Sequence, residues 1–83
     1  MEEILFKKIF SKHLRSKRIQ VNYSQARVAE MARIEIAHYG KIERGEILPK
    51  AHTFTKISLA LELDCKQMMQ EYGSKLLYEE PVG

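Results

Sequence analysis

Ser24-Gln25-Ala26-Arg27-Val28-Ala29-Glu30-Met31-Ala32, then Arg33-Ile34, then Glu35-Ile36-Ala37-His38-Tyr39-Gly40-Lys41-Ile42-Glu43, is the stretch on which the fold turns. Ser24 is a natural N-cap, with a hydroxyl placed to accept from the first turn of a helix. Val28, Ala29 and Ala32 recur at helical spacing, so this short helix turns an apolar stripe inward. A break at Ala32-Arg33-Ile34 precedes a second short helix over 35–43. Tyr39 and Ile42 lie three apart on its inner face, which leaves Ile36, Ala37, Gly40 and Lys41 on other faces. Glu43-Arg44-Gly45 ends it, Gly45 being suited to the left-handed position after a C-cap. Helices this short are marginal in water. They hold only when packed against neighbours.

The neighbours are legible on both sides. Phe6, Ile9, Phe10, His13, Leu14 and Lys17 recur at helical spacing and predict a first helix over 3–18. Asn22-Tyr23-Ser24 follows as a turn. Beyond Gly45, Pro49 closes a loop, and Phe54, Ile57, Ser58 and Leu61 form one stripe of a helix over 51–61. Leu63 is a linker, and Asp64 with Gln67 three residues later resembles a capping box opening a fifth helix. No repeat, low-complexity stretch or strand-like alternation is visible. The expected fold is all-α, a compact bundle of five helices.

Composition agrees with one small soluble domain: 83 residues, 45% hydrophobic and 30% charged. No apolar run approaches the roughly 18 residues of a membrane span, and no secretory signal is visible. One cysteine, Cys65, excludes an internal disulfide and fits the reducing cytosol, so a cytoplasmic location is expected. His13, His38 and His52 are scattered without metal-ligand spacing, and His13 reads as a boundary residue of the first helix rather than a ligand. Gly-rich phosphate loops, nucleophile elbows and paired catalytic carboxylates are missing, so neither an enzyme nor a cofactor is expected. The charge is uneven. Residues 7–33 carry eight cations against Glu30 alone, net +7, whereas residues 62–83 carry net −3. Such asymmetry is the footprint of a polyanion-binding surface, although basic side chains that merely solvate helix faces leave the same footprint.

Two short helices joined by three residues make a helix-turn-helix, with the second helix presented outward. At this point a family likeness is visible. Tyr23-Ser24-Gln25-Ala26-Arg27-Val28-Ala29-Glu30, Ile34, Ile42-Glu43-Arg44-Gly45, and Pro49 followed by Ile57, Ala60-Leu61 and Leu63 resemble the Xre/Cro family of phage-repressor-like proteins. Lys17-Arg18-Ile19-Gln20 resembles the end of the first helix in lambdoid repressors. The likeness spans roughly residues 10–69, which suggests a lambda-repressor-like domain over 1–69, with its helix-turn-helix at about 24–43, and a C-terminal extension over 70–83.

The resemblance implies that residues 35–43 form a recognition helix in the DNA major groove, which is wide enough for one α-helix and shows a distinct donor and acceptor pattern for each base pair. Carried over position by position, Glu35, Ile36, Ala37, Gly40 and Lys41 are the base-reading candidates. Lys41 suits guanine O6 and N7, Glu35 suits cytosine N4, and Ile36 and Ala37 suit thymine methyl groups. Gly40 lets the backbone approach, and Ile36 is alternatively a core or dimer-contact residue. Ser24, Gln25, His38, Arg44 and Lys50 are the phosphate candidates, Gln25 standing where the family's amide clamps a phosphate at a helix N-terminus. Arg18 and Glu43 match a buried ion pair of lambdoid repressors, the alternative being that both face solvent. Arg33 stands where the turn usually has Gly, and Glu35 and Lys50 replace small hydroxyl caps.

The reading that follows is a sequence-specific transcriptional regulator, a repressor that binds double-stranded DNA at a palindromic operator as a homodimer. The alternative is an antitoxin or protein-interaction module on the same fold, meeting a protein partner through residues 68–80. Met68, Met69, Leu76 and Leu77 are the candidate dimer contacts, against a tail in which Tyr72 and its neighbours complete the chain's own core. Pro81-Val82-Gly83 is expected to fray.

Overall fold

The computed structural model describes residues 2–79. Five α-helices follow one another: α1 (Glu2–Gln20), α2 (Gln25–Ala32), α3 (Ile36–Glu43), α4 (Ala51–Leu61) and α5 (Cys65–Ser74), the last continuing into a π-helical turn over Lys75–Glu79. Glu2 and Glu3 open α1 and Lys17 and Arg18 close it, each pair complementing the helix dipole. The helix runs two residues beyond its expected end. Ile19 and Gln20 are exposed there and carry no core periodicity to mark them.

One device ends four of the five helices. After α1, the Tyr23 N–H donates to the Arg18 carbonyl and the Asn22 N–H to that of Ile19, both at 3.0 Å. Ile34 and Arg33 repeat this pattern after α2, Glu46 and Gly45 after α3, and Leu63 and Glu62 after α4. These are Schellman closures, which need a left-handed residue at the first position beyond the helix. Asn22, Arg33, Gly45 and Glu62 supply it, with φ of 62°, 58°, 75° and 51°. Glycine occupies only one of the four sites. Tyr23, Ile34 and Leu63, the residues that follow, pack against the core, so burial offsets the backbone strain at three of the turns.

The core draws on every helix. Ile9, Phe10 and Leu14 of α1 meet Val28, Ala29 and Ala32 of α2, Tyr39 and Ile42 of α3, Ile57 and Leu61 of α4, and Met68 of α5. An aromatic cluster extends it toward the chain ends. Phe10 stacks on Phe54 at 4.8 Å between centroids and on Phe6 at 5.7 Å, and the Tyr72 ring meets Phe6 edge-on at 5.5 Å. Tyr72 therefore packs the C-terminal part of α5 back on α1, and the helix passes through Gly73 without a break. Lys12 and His13 of α1 bind Glu71 alongside, His13 Nε2 lying 2.9 Å from its Oε1.

The candidate dimer contacts divide on this basis. Met68 is only 1% exposed and belongs to the core, because its position on α5 faces α1. That corrects its assignment as an interface residue. Met69 and Leu77 remain exposed, Leu76 is half-buried, and Pro81-Val82-Gly83 lies outside the described residues.

Candidate nucleic-acid interface

The short helix α3 is positioned by a polar clamp on its inner side. Glu43, 6% exposed at its C-terminal end, accepts four hydrogen bonds from three helices. Arg18 of α1 donates twice, from Nε to Oε1 at 2.7 Å and from Nη2 to Oε2 at 2.9 Å. Gln25 at the start of α2 donates from Nε2 to Oε2 at 2.8 Å, and the Tyr39 hydroxyl donates to Oε1 at 2.7 Å. The remaining arm of Arg18 donates from Nη1 to the Tyr23 carbonyl at 3.0 Å, tying the α1–α2 turn into the same cluster. A bidentate guanidinium–carboxylate pair with every lone pair engaged is the arrangement in which a buried ion pair holds its geometry.

The electrostatics follow. Burial pushes the Glu43 carboxyl up, but the hydrogen bonds from Arg18, Gln25 and Tyr39 outweigh it and hold the group below the ordinary carboxylate value. The hydrogen bond to Glu43 raises Arg18. Burial first, and then the neighbouring carboxylate, pushes the Tyr39 phenol far above its usual value. Glu43 therefore stays charged at neutral pH, matched by one cation and two neutral donors. Tyr39 and Glu43 stand four apart on one helix, a spacing that places them together. The Gln25 contact carries no such sequence signal.

The outer side of α3 is the opposite. Glu35, Ile36, Ala37, His38 and Lys41 are all exposed, and none of these side chains makes a hydrogen bond or ion pair among the described residues. Ile36 is 53% exposed, which removes the core alternative for it. Glu35 is the N-cap of α3 rather than its first residue, and its side chain makes no capping bond.

Gly40 does not belong with this set. It is buried on the inner side, where a Cβ would lie 2.9 Å from Arg44 Nη1 and 3.7 Å from Gln25 Oε1. The correction is geometric: Gly40 stands three residues from Glu43 and lies toward Gln25 at the start of α2, covered by the end of the Arg44 side chain, so it is buried within the chain.

The phosphate candidates surround the same end of the molecule but differ in freedom. Ser24 caps α2, its Oγ accepting from the Arg27 N–H at 3.0 Å. The first-turn N–H groups of Gln25 and Ala26 have no helical acceptor, as at any helix start. Half-buried Gln25 spends one amide hydrogen on Glu43. Arg44 is paired with Glu46, whereas His38 and Lys50 are exposed and unpaired among the described residues. Lys50 precedes α4 as an N-cap that makes no side-chain bond. Tyr23 is half-buried against the core, with the Arg27 guanidinium 5.9 Å from its ring centroid.

The family profile described as helix-turn-helix matches residues 14–67, most of the chain and all of this arrangement. The chain belongs to the Xre/lambda-repressor-like helix-turn-helix family. It carries a DNA-binding regulatory domain, in which α2 and α3 are the helix-turn-helix pair. The match starts inside α1 and ends inside α5, and so includes Arg18, Gln25, Tyr39 and Glu43. No curated protein matches the sequence. No helix among the described residues is long and apolar enough to cross a membrane.

Proposed function

We propose that this chain is a cytoplasmic transcriptional repressor that binds a palindromic operator as a homodimer, with α3 of each copy in the major groove. The observation that carries the reading is the division of α3. On its inner side the Glu43 carboxylate is fully bonded. On its outer side Ile36, Ala37, His38 and Lys41, with Glu35 at the N-cap, are exposed and make no side-chain hydrogen bond or ion pair among the described residues. On that outer side Lys41 donates to guanine O6 and N7, and Ile36 with Ala37 covers thymine methyl groups. Glu35 accepts from cytosine N4 at the start of the helix. Ser24, Gln25, His38, Arg44 and Lys50 meet flanking phosphates, which fix the register without reading sequence. A two-fold dimer places two such helices about one helical turn of DNA apart. Exposed Met69 and Leu77 are the apolar side chains that a second copy would cover.

Selection of bound duplexes from a random pool at about 0.15 M salt tests this reading. The expected product is an enriched palindrome in which Lys41→Ala relaxes one position in each half-site, at a cost of about 1–3 kcal/mol in discrimination. A pool that shows no enrichment overturns it and returns the exposed residues of α5 to the antitoxin reading. Gln25→Ala is a poorer probe than Lys41→Ala, because it also removes a donor from Glu43.

A further inference from the structure

We propose that the groove between α1 and the α2–α3 pair is a second contact surface for the DNA sugar–phosphate backbone, with Arg15 as its principal cation. The inference rests on the DNA-binding reading above and extends its contact surface from the helix-turn-helix onto α1. The groove has a volume of about 730 Å³. Lys12, Arg15 and Ser16 of α1 form one wall, and Gln25 and Arg44 form the other.

Its floor is the Arg18–Glu43 pair. Because the Glu43 carboxylate is already saturated by four donors, the one acid in the lining repels an incoming phosphate far less than a free carboxylate would. The cations of the groove are not equivalent. Lys12 is held by Glu71, Arg44 by Glu46, and Arg18 by Glu43. Arg15 is exposed and makes no hydrogen bond or ion pair among the described residues. It is the groove's uncompensated charge.

The occupant follows from continuity. Gln25 and Arg44 belong both to this groove and to the phosphate side of the helix-turn-helix, so a backbone that meets the N-terminus of α2 continues directly toward Arg15. An extended polyanion fits an open groove that leads away from an existing anion surface. A contact of this kind carries no sequence information and appears as counterion release.

The test uses the full chain and two duplexes: one recovered by selection and extended beyond the selected site on both sides, and one unrelated duplex of equal length. Affinity is measured across about 50–200 mM salt for the wild type, Arg15→Gln and Arg15→Lys. Arg15→Gln is expected to reduce the log–log salt slope by about 0.9 per bound copy and to weaken both duplexes by the same factor. Arg15→Lys is expected to keep the wild-type slope. Since Arg15 is exposed and unpaired, thermal stability should be the same in all three proteins. An unchanged slope in Arg15→Gln, or a loss confined to the selected duplex, overturns the inference. A wild-type chain that binds neither duplex removes the DNA-binding reading itself, and this inference with it.

Discussion

The two sides of α3 are built on opposite principles although they share eight residues. On the inner side, Tyr39, Ile42 and Glu43 are buried and both oxygens of the Glu43 carboxylate accept two hydrogen bonds each. On the outer side, Ile36, Ala37, His38 and Lys41 are exposed, and none of their side chains makes a hydrogen bond or ion pair among the described residues. A helix this short has little stability of its own. Its outer side is free to carry chemistry for another molecule only because the inner side alone fixes where it sits. That separation predicts that changes on one side cost stability and changes on the other cost binding.

The largest expected effect breaks the inner side. Arg18→Ala leaves the Glu43 carboxylate buried without its cation, and losses of this kind run to about 3–5 kcal/mol. For a small domain that is a large share of its total stability. Urea denaturation should show the midpoint collapsing, whereas Lys41→Ala should leave it within about 0.5 kcal/mol of the wild type. Equal losses from the two variants would contradict the division of labour.

The same clamp sets two pH limits. The Glu43 carboxyl titrates lower in the folded chain than in the unfolded one, so the unfolded state takes up the proton first on acidification. Its contribution is complete above the ordinary carboxylate value of about 4.3 and is lost as pH falls below it. Tyr39 works at the other end. Its folded-state value is raised, so its contribution is complete below the ordinary phenol value of about 10 and is lost as pH rises beyond that. Chemical denaturation across pH should show a plateau with both edges. Tyr39→Phe should flatten the alkaline edge and lower the plateau by about 1.5–3 kcal/mol, as expected for a lost hydrogen bond to a charged group. An alkaline edge that persists in Tyr39→Phe would assign it to other groups.

Much of this architecture was legible in advance, for identifiable reasons. The apolar stripes of α1, α2 and α4 follow the helical period, and Ser24 and Asp64 make the capping bonds their residue types suggest. Gly40 was misplaced because a missing side chain leaves no polarity to say which way a position faces. Met68 was misplaced because α5 mixes buried and exposed methionines at adjacent positions, and periodicity alone cannot choose between them. The link from Gln25 to Glu43 spans two helices, and no local pattern encodes it. Local chemistry was readable, and contacts set by packing were not.

Helix starts offer a smaller test on the outer side. Asp64 and Ser24 each accept from a first-turn N–H at 3.0 Å, while Lys50 precedes α4 with no side-chain acceptor. Lys50→Ser supplies one and should stabilise the fold by about 1 kcal/mol. It should also weaken DNA binding through the lost cation, lowering the salt slope by about 0.9 per copy. Opposite signs in stability and affinity would show that the cap was given up for a phosphate contact. Equal binding would leave Lys50 with no role at the interface.

The smallest effect concerns the turn between α2 and α3. Arg33 sits at φ 58°, and a non-glycine residue in the left-handed region costs roughly 1–2 kcal/mol. Glycine removes that strain but loses about 0.5–1 kcal/mol through its freer unfolded chain, so the net gain from Arg33→Gly should be about 0.5 kcal/mol. Glu62→Gly should give a similar gain. Asn22→Gly should give less, since asparagine tolerates this conformation. Among the described residues the Arg33 side chain makes no hydrogen bond or ion pair that would compensate its strain. If Arg33→Gly raises the melting temperature while lowering DNA affinity, the strained cation belongs with the outer side of α3. If stability rises and binding is unchanged, Arg33 is tolerated by packing at Ile34 alone, and the outer side begins at Glu35.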